Sequence, residues 1–245
     1  MRVPALVFIT LRFLREQLQA HGHWIKATAP WFAPKESFRT DAKCEQGRIV
    51  LAGWSTESGF ENLKLARWFC LEILPDQLPM LFKEDGSSQW CSTTAELLAS
   101  YAAACAFGYL EGKDLSKNLR MAITGGTDNK ANQGLQNKNM STKWPLLALH
   151  MQVSSELLAH GVRMRLRWRP REENVPADAI TNGDFKLFDP LLRVEISLND
   201  LPLNFFRKLC ASRDEFVEMR EGQTELKLAE GKQTKRQKLS TKTAW

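Results

Sequence analysis

No CxxC pair occurs in this chain, and its five cysteines, Cys44, Cys70, Cys91, Cys105 and Cys210, are odd in number and widely spaced. That excludes a zinc ribbon and a disulfide framework, and it points to a reducing intracellular compartment, nucleus or cytoplasm. No run approaches the roughly 20 apolar residues that span a bilayer, so no membrane partner is expected. The opening MRVPALVFITL has one early Arg and a short apolar run. Arg12 and Arg15 break the pattern and no small-x-small site follows, so it reads as a buried helix and not as an export signal. The HGH of His21 and His23 has no third ligand nearby, which makes it a surface turn. No internal repeat is present.

What remains is an ordinary soluble composition over 245 residues, 43% hydrophobic and 25% charged, with a formal charge of +6. The length suits one domain with extensions, and the basic excess favours a polyanionic partner. Residues 5–21 have helical spacing at Leu6, Ile9, Phe13 and Leu14, with Gly22 after the end. A Trp- and Pro-rich loop, HWIKATAPWFAP, follows. SFRTDAK, GRIVLAGWS and LARWFCLEIL then read as three antiparallel strands, with Gly47 and Gly59 at the breaks. Residues 75–91, with two prolines and the turn EDGSS, look like a surface excursion.

STTAELLASYAAACAFGYLEG predicts a long helix, capped by Thr93 and ended by Gly112. LRMAITGGTD reads as a buried strand running into a Gly-rich turn. A short polar helix and a helix over about 145–160 follow. In VRMRLRWRP, Val162, Met164, Leu166 and Trp168 alternate with Arg163, Arg165, Arg167 and Arg169, as in a half-buried strand. A further helix starts within PREENVPADAITN. The later strands, separated by helices, must run parallel. The expectation is an α/β fold, a mixed five-stranded sheet with helices on both faces. It would occupy residues 36–204, between an N-terminal segment at 1–35 and a helical to disordered basic tail at 205–245.

Four carboxylates stand out. Asp41 lies inside a strand, where Asp is disfavoured and a buried charge needs a partner. The ordinary alternative is that it faces solvent or that the strand ends there. Glu96 fits a capping box with Thr93. Asp128, after Gly-Gly-Thr, fits an Asx-turn or a helix cap. Asp178 is a first-turn acid that the helix dipole favours. Taken together they have a common explanation, because a pair of hard divalent cations needs oxygen ligands gathered from a strand, its parallel neighbour and two helices.

TDA at 40–42, TAELLA at 94–99, TDN at 127–129 and NVPADAITN at 174–182 occur in the order of the RNase H motifs. The chain resembles the RNase H region that follows the polymerase in retroelement reverse transcriptases, and DIRS-like retrotransposons and their relatives most of all. The resemblance covers about residues 36–185, and LRFLREQL upstream is similar to the connection that joins polymerase to RNase H. It implies an RNase H-like fold and hydrolysis of the RNA strand of an RNA–DNA hybrid, with a polymerase domain or subunit as partner. Asp41, Glu96, Asp128 and Asp178 would hold two Mg²⁺ ions, with Mn²⁺ able to substitute. Asn129, Asn174 and Arg169 would contact nucleic acid, or in the case of the two asparagines brace the site.

Three departures accompany the resemblance, one being that Trp68 to Trp90 is longer than a minimal third strand and its turn. The loop WRPREENVPAD lacks the His that many RNase H enzymes carry there, a place that Arg169 or Arg171 would partly fill. No YxDD-type polymerase motif occurs, so the chain reads as a fragment or relic of a larger element. A non-catalytic RNase H-like binding or scaffold module is therefore the alternative. A transposase or integrase usually relies on three acids, and a DEDD exonuclease would need Glu two residues after Asp41. The arginine face of the fifth strand reads as a solvated outer face before it reads as a phosphate track. Lys232, Lys235, Arg236 and Lys238 form a weak localisation or nucleic-acid patch.

Overall fold

The computed structural model describes residues 5–21, 35–111, 121–138, 141 and 143–211. The HWIKATAPWFAP loop, Gly112 and the basic patch at 232–238 lie outside them. The chain divides into two compact units, Met1–Gly22 with Arg207–Trp245, and His23–Phe206. In the first unit, α1 spans Ala5–His21, the limits that the apolar spacing predicts. Among the described residues no helix is long and apolar enough to cross a membrane.

The second unit is built on one sheet of five strands, β1 (Phe38–Glu45), β2 (Arg48–Ser55), β3 (Trp68–Ile73), β4 (Met121–Thr127) and β5 (Val162–Trp168). Their order is β3-β2-β1-β4-β5. The first three pair antiparallel, while β4 runs parallel to both β1 and β5. This is the mixed sheet that the element order predicts. Gly47 takes φ +75° in the turn between β1 and β2, a conformation open to glycine at little cost.

Side chains alternate across β1, and that alternation assigns the helices to faces. Thr40 Oγ1 lies 3.2 Å from Ser100 Oγ of α2 (Ser92–Ala106), so α2 covers one face. Asp41, the next residue, meets Thr181 of α5 (Val175–Thr181) on the other. Ala95, Ala99, Ala102 and Ala103 of α2 are wholly buried, and their small side chains let the helix sit close. On the α5 face Ala52, Trp54, Trp68, Ala177, Ile180 and Phe188 form a core cluster. Burying an aromatic or large aliphatic side chain there contributes about 1.5–3 kcal/mol each. Among the described residues the remaining α-helices are α3 (Lys130–Lys138), α4 (Leu146–Ala159) and α6, Asn204–Ala211, which starts in this unit.

Three local expectations need correction. Thr93 does not cap α2: the helix starts at Ser92 with Cys91 in the cap position, and Cys91 makes no side-chain cap bond. Glu96 is thus two residues too far along for a capping box. The helix ends at Ala106, with Gly108 at φ +75° beyond it, so Gly112 is not its stop. Residues 75–91 are not a mere surface excursion either. Pro75 and Pro79 prevent a regular helix, yet Leu78 and Leu81 are fully buried and Phe82 and Cys91 nearly so. The polar turn at 83–87 marks only the tip. On β5 the alternation holds: Val162, Met164 and Leu166 are buried while Arg163 and Arg165 are exposed.

Candidate active site

Asp41, Glu96 and Asp128 converge. Each presents a carboxylate oxygen, and the three atoms lie within 4.8 Å of one another. Asp41 comes from the middle of β1, Glu96 from the second turn of α2 and Asp128 from the residue after β4. Asp41 neither faces solvent nor ends its strand, since it is 8% exposed. Thr181 Oγ1 donates to its Oδ2 at 2.7 Å. Glu96 is buried and is held from β4, where Thr127 Oγ1 donates to Glu96 Oε2 at 3.2 Å. The Asn129 amide in turn donates to Thr127 Oγ1 at 3.2 Å.

The electrostatics follow from burial and like charge. Asp41 is pushed up to about 6, first by loss of water and then by Asp128 and Asp178, against the Thr181 hydrogen bond. Glu96 is raised well above the usual carboxylate range by burial, with Asp41 and Asp128 adding to it. Asp128 is raised chiefly by burial, while Arg171 opposes. Three acids this close are unstable as bare anions. They want protons or a cation.

Asp178 stands beside this group and not within it. Its Oδ1 accepts from Arg171 Nη2 at 2.9 Å and its Oδ2 from Asn182 Nδ2 at 3.0 Å. It is near enough to raise Asp41 and Asp128 through charge. Arg171 is 76% exposed, so this ion pair sits in solvent at the rim.

The three further residues carried over are engaged within the protein. Asn129, and not Asp128, is the helix cap: its Oδ1 accepts from the Ala131 amide at 3.0 Å. Asn174 is 1% exposed and offers a nucleic acid no surface. Its Nδ2 donates to the Thr40 carbonyl at 2.9 Å, next to Asp41. Arg169 gives Nε and Nη2 to Glu36 Oε2 at 2.8 and 2.6 Å, so its guanidinium is occupied. Trp168 turns its Nε1 to the Asp128 carbonyl at 3.0 Å, and Lys130 covers its ring at 4.2 Å.

Sequence reasoning passes over Thr127, Thr181 and Glu36. Thr127 directly precedes Asp128 and Thr181 lies one helical turn after Asp178, so their spacing carried a signal. Glu36, in the segment KESF before β1, carried none.

No family model and no curated protein matches this sequence. Among solved structures, RNase H1 from the halophilic archaeon Halobacterium salinarum is similar at 16% identity, over 61% of this chain and 96% of that one, with a TM-score of 0.40. The N-terminal RNase H domain of a Mycobacterium tuberculosis protein, solved as a maltose-binding-protein fusion, is also 16% identical. It aligns over 61% of this chain and 93% of that one, with a TM-score of 0.37. Three antiparallel strands followed by two parallel ones, in the order β3-β2-β1-β4-β5 and flanked by helices on both faces, make the sheet RNase H-like.

Proposed function

We propose that this domain hydrolyses the RNA strand of RNA–DNA hybrids, with Asp41, Glu96, Asp128 and Asp178 holding two magnesium ions or manganese in their place. The observation that carries the reading is the convergence of Asp41, Glu96 and Asp128 to within 4.8 Å from three elements distant in sequence. Buried acids that raise one another's pKa are destabilising unless something offsets their charge. All the donors are carboxylate oxygens, the set that suits a hard cation. When bound, such an ion pair supplies an activated water and stabilises the leaving oxygen of an in-line displacement.

The protein's own groups have distinct tasks in this reading. Asp41 sits at the centre of the sheet, oriented by Thr181. Glu96 is oriented by Thr127, which the Asn129 amide fixes in turn. Asp178 joins the set by exchanging its Arg171 partner. Arg171, exposed at the rim, is then free to meet a scissile phosphate, since guanidinium groups pair bidentately with phosphate oxygens.

The test is incubation of a strand-labelled hybrid with Mg²⁺. The wild type should cleave the RNA strand, and Asp41→Asn and Glu96→Gln should lose at least about a hundredfold. Equal cleavage by wild type and Asp41→Asn would remove this site from the reaction. A second reading, a catalytically weak nucleic-acid-binding or scaffold module, is favoured by the engagement of Asp178 with Arg171 and Asn182. Tight hybrid binding without cleavage would support it. On the resemblance alone, we assign the domain to a retroelement reverse transcriptase with a polymerase partner. A polymerase from such an element that shows no affinity for the chain would argue against that context.

A further inference from the structure

The least expected charge in the molecule lies just before the first strand. The Glu36 side chain is 2% exposed and is held between two guanidinium groups, those of Arg39 and Arg169. Arg169 directs both Nε and Nη2 at Oε2, while Arg39 Nε takes Oε1. A carboxylate buried this far persists only when it is paired, and here it is paired twice. The sheet makes room for it. Gly126 is the register partner of Arg39, and a Cβ at Gly126 would lie 2.6 Å from Glu36 Oε1.

Both arginines then reach the same segment. Arg169 opens the connection from β5 to α5, its amide donating to the Thr127 carbonyl at 2.8 Å. Arg39 sends Nη1 to the Glu173 carbonyl, and its guanidinium is stacked 4.6 Å from the Phe60 ring, which limits its swing. One residue later Asn174 Nδ2 binds the Thr40 carbonyl at 2.9 Å. The segment 169–174 is therefore pinned to β1 at two points and to Glu36, just ahead of β1, at a third, although Arg171, Glu172 and Glu173 themselves are exposed. A surface connection of this kind would otherwise be among the mobile parts of a fold. It carries Arg171 and sets the start of α5, hence the place of Asp178.

We infer that Glu36 is a positioning residue that clamps the 169–174 segment to the first strand and so fixes where Arg171 and Asp178 stand relative to Asp41. Its functional consequence rests on the nuclease reading given above; the clamp itself does not. Glu36→Gln keeps the shape and removes the charge. Arg169→Gln breaks one side only, at a side chain that is 30% exposed, and serves should Glu36→Gln fail to fold. Arg169→Lys keeps the charge but loses the two-pronged contact, and it should fall between wild type and Arg169→Gln.

The decisive measurement is amide hydrogen exchange on the whole chain. In the variants, amides of residues 171–182 should exchange about tenfold faster or more while those of β1–β3 keep their protection. In hybrid cleavage, kcat should fall roughly ten- to a hundredfold at nearly constant KM, because misplacing a group that acts on the reacting centre harms the reaction more than binding. Unchanged exchange over 171–182, or an equal acceleration over the whole sheet, would overturn the clamp. A wild type inactive on hybrids would overturn the nuclease reading instead, and the exchange result would still decide for or against Glu36.

Discussion

The Thr181 hydroxyl lies 2.7 Å from Asp41 Oδ2 and 2.9 Å from the Asp178 carbonyl, so one turn of α5 links the buried Asp41 to the acid at the rim. A single hydroxyl proton serves one acceptor at a time, and the charged Asp41 holds it more strongly. Thr181→Val keeps the volume and removes the donor. It should raise the Asp41 pKa beyond its value of about 6, because the bond favours the ionised form. A carbon-detected NMR titration of the Asp41 carboxyl reads this directly. An unchanged or lowered pKa would mean that the hydroxyl does not serve Asp41.

Asp41 also makes stability depend on pH in the direction opposite to a salt-bridged acid. Its folded pKa of about 6 lies above the ordinary 3.8, so the folded protein holds the proton longer than the unfolded chain does. The metal-free protein should therefore be most stable, on this account, below about pH 4, and should lose stability as pH rises from there through 6. The shift corresponds to at most about 3 kcal/mol. Asp41→Asn should remove that slope and stabilise the metal-free protein at pH 7. Urea unfolding in a chelator across pH 4–8 checks it. A wild type that gained stability over this window relative to Asp41→Asn would contradict the assignment.

The parts legible in the sequence are those where one residue type has one physical reason. The alternation of Val162, Met164 and Leu166 with arginines is a period of two, and β5 has that burial. Asp41 in a strand interior signalled an acid set apart from ordinary strand residues, and it is buried, with the Thr181 hydroxyl as a hydrogen-bond partner. Caps were less readable because several residues compete for each: Thr93 and Asp128 have capping chemistry, but the chain starts its helices at Cys91 and Asn129. The buried stretch around Leu78 and Leu81 was masked by the prolines and polar turn that flank it. Glu36 was invisible, since its burial comes from Arg39, Gly126 and Arg169, and two of these lie about 90 residues or more away in sequence.

Arg171 stands where positive charge is most in demand, paired with Asp178 and near enough to lower Asp128. An exposed pair of this kind is weak, so a divalent cation should displace it readily. Arg171→Gln should tighten binding of the weaker of two Mn²⁺ ions by about two- to fivefold while slowing hybrid cleavage. Calorimetric Mn²⁺ titration of the two proteins separates these effects. Weaker Mn²⁺ binding in the variant would show that Arg171 supports the cation site instead of competing for it.

Gly126 has no side chain because Glu36 occupies the space that a Cβ would enter, at 2.6 Å from Oε1. Gly126→Ala should destabilise the domain by about 1–3 kcal/mol, the range for overpacking a filled interior. Thermal or urea unfolding measures it. Combined with Glu36→Ala, the loss should be smaller than the sum of the two single losses, because both act on one contact. Full additivity would place the strain elsewhere.

Asp41, Glu96 and Asp128, read as ligands of one cation, should each be needed to bind it. Titration of the metal-free protein with Mn²⁺, followed by electron paramagnetic resonance of the free ion, counts the bound ions. The wild type should show a tight site that Asp41→Asn, Glu96→Gln and Asp128→Asn each weaken by more than about tenfold, the effect of removing a charged ligand. Asp178→Asn should leave that tight site and weaken only a second one. Binding that is equal in the wild type and all four variants would contradict the account.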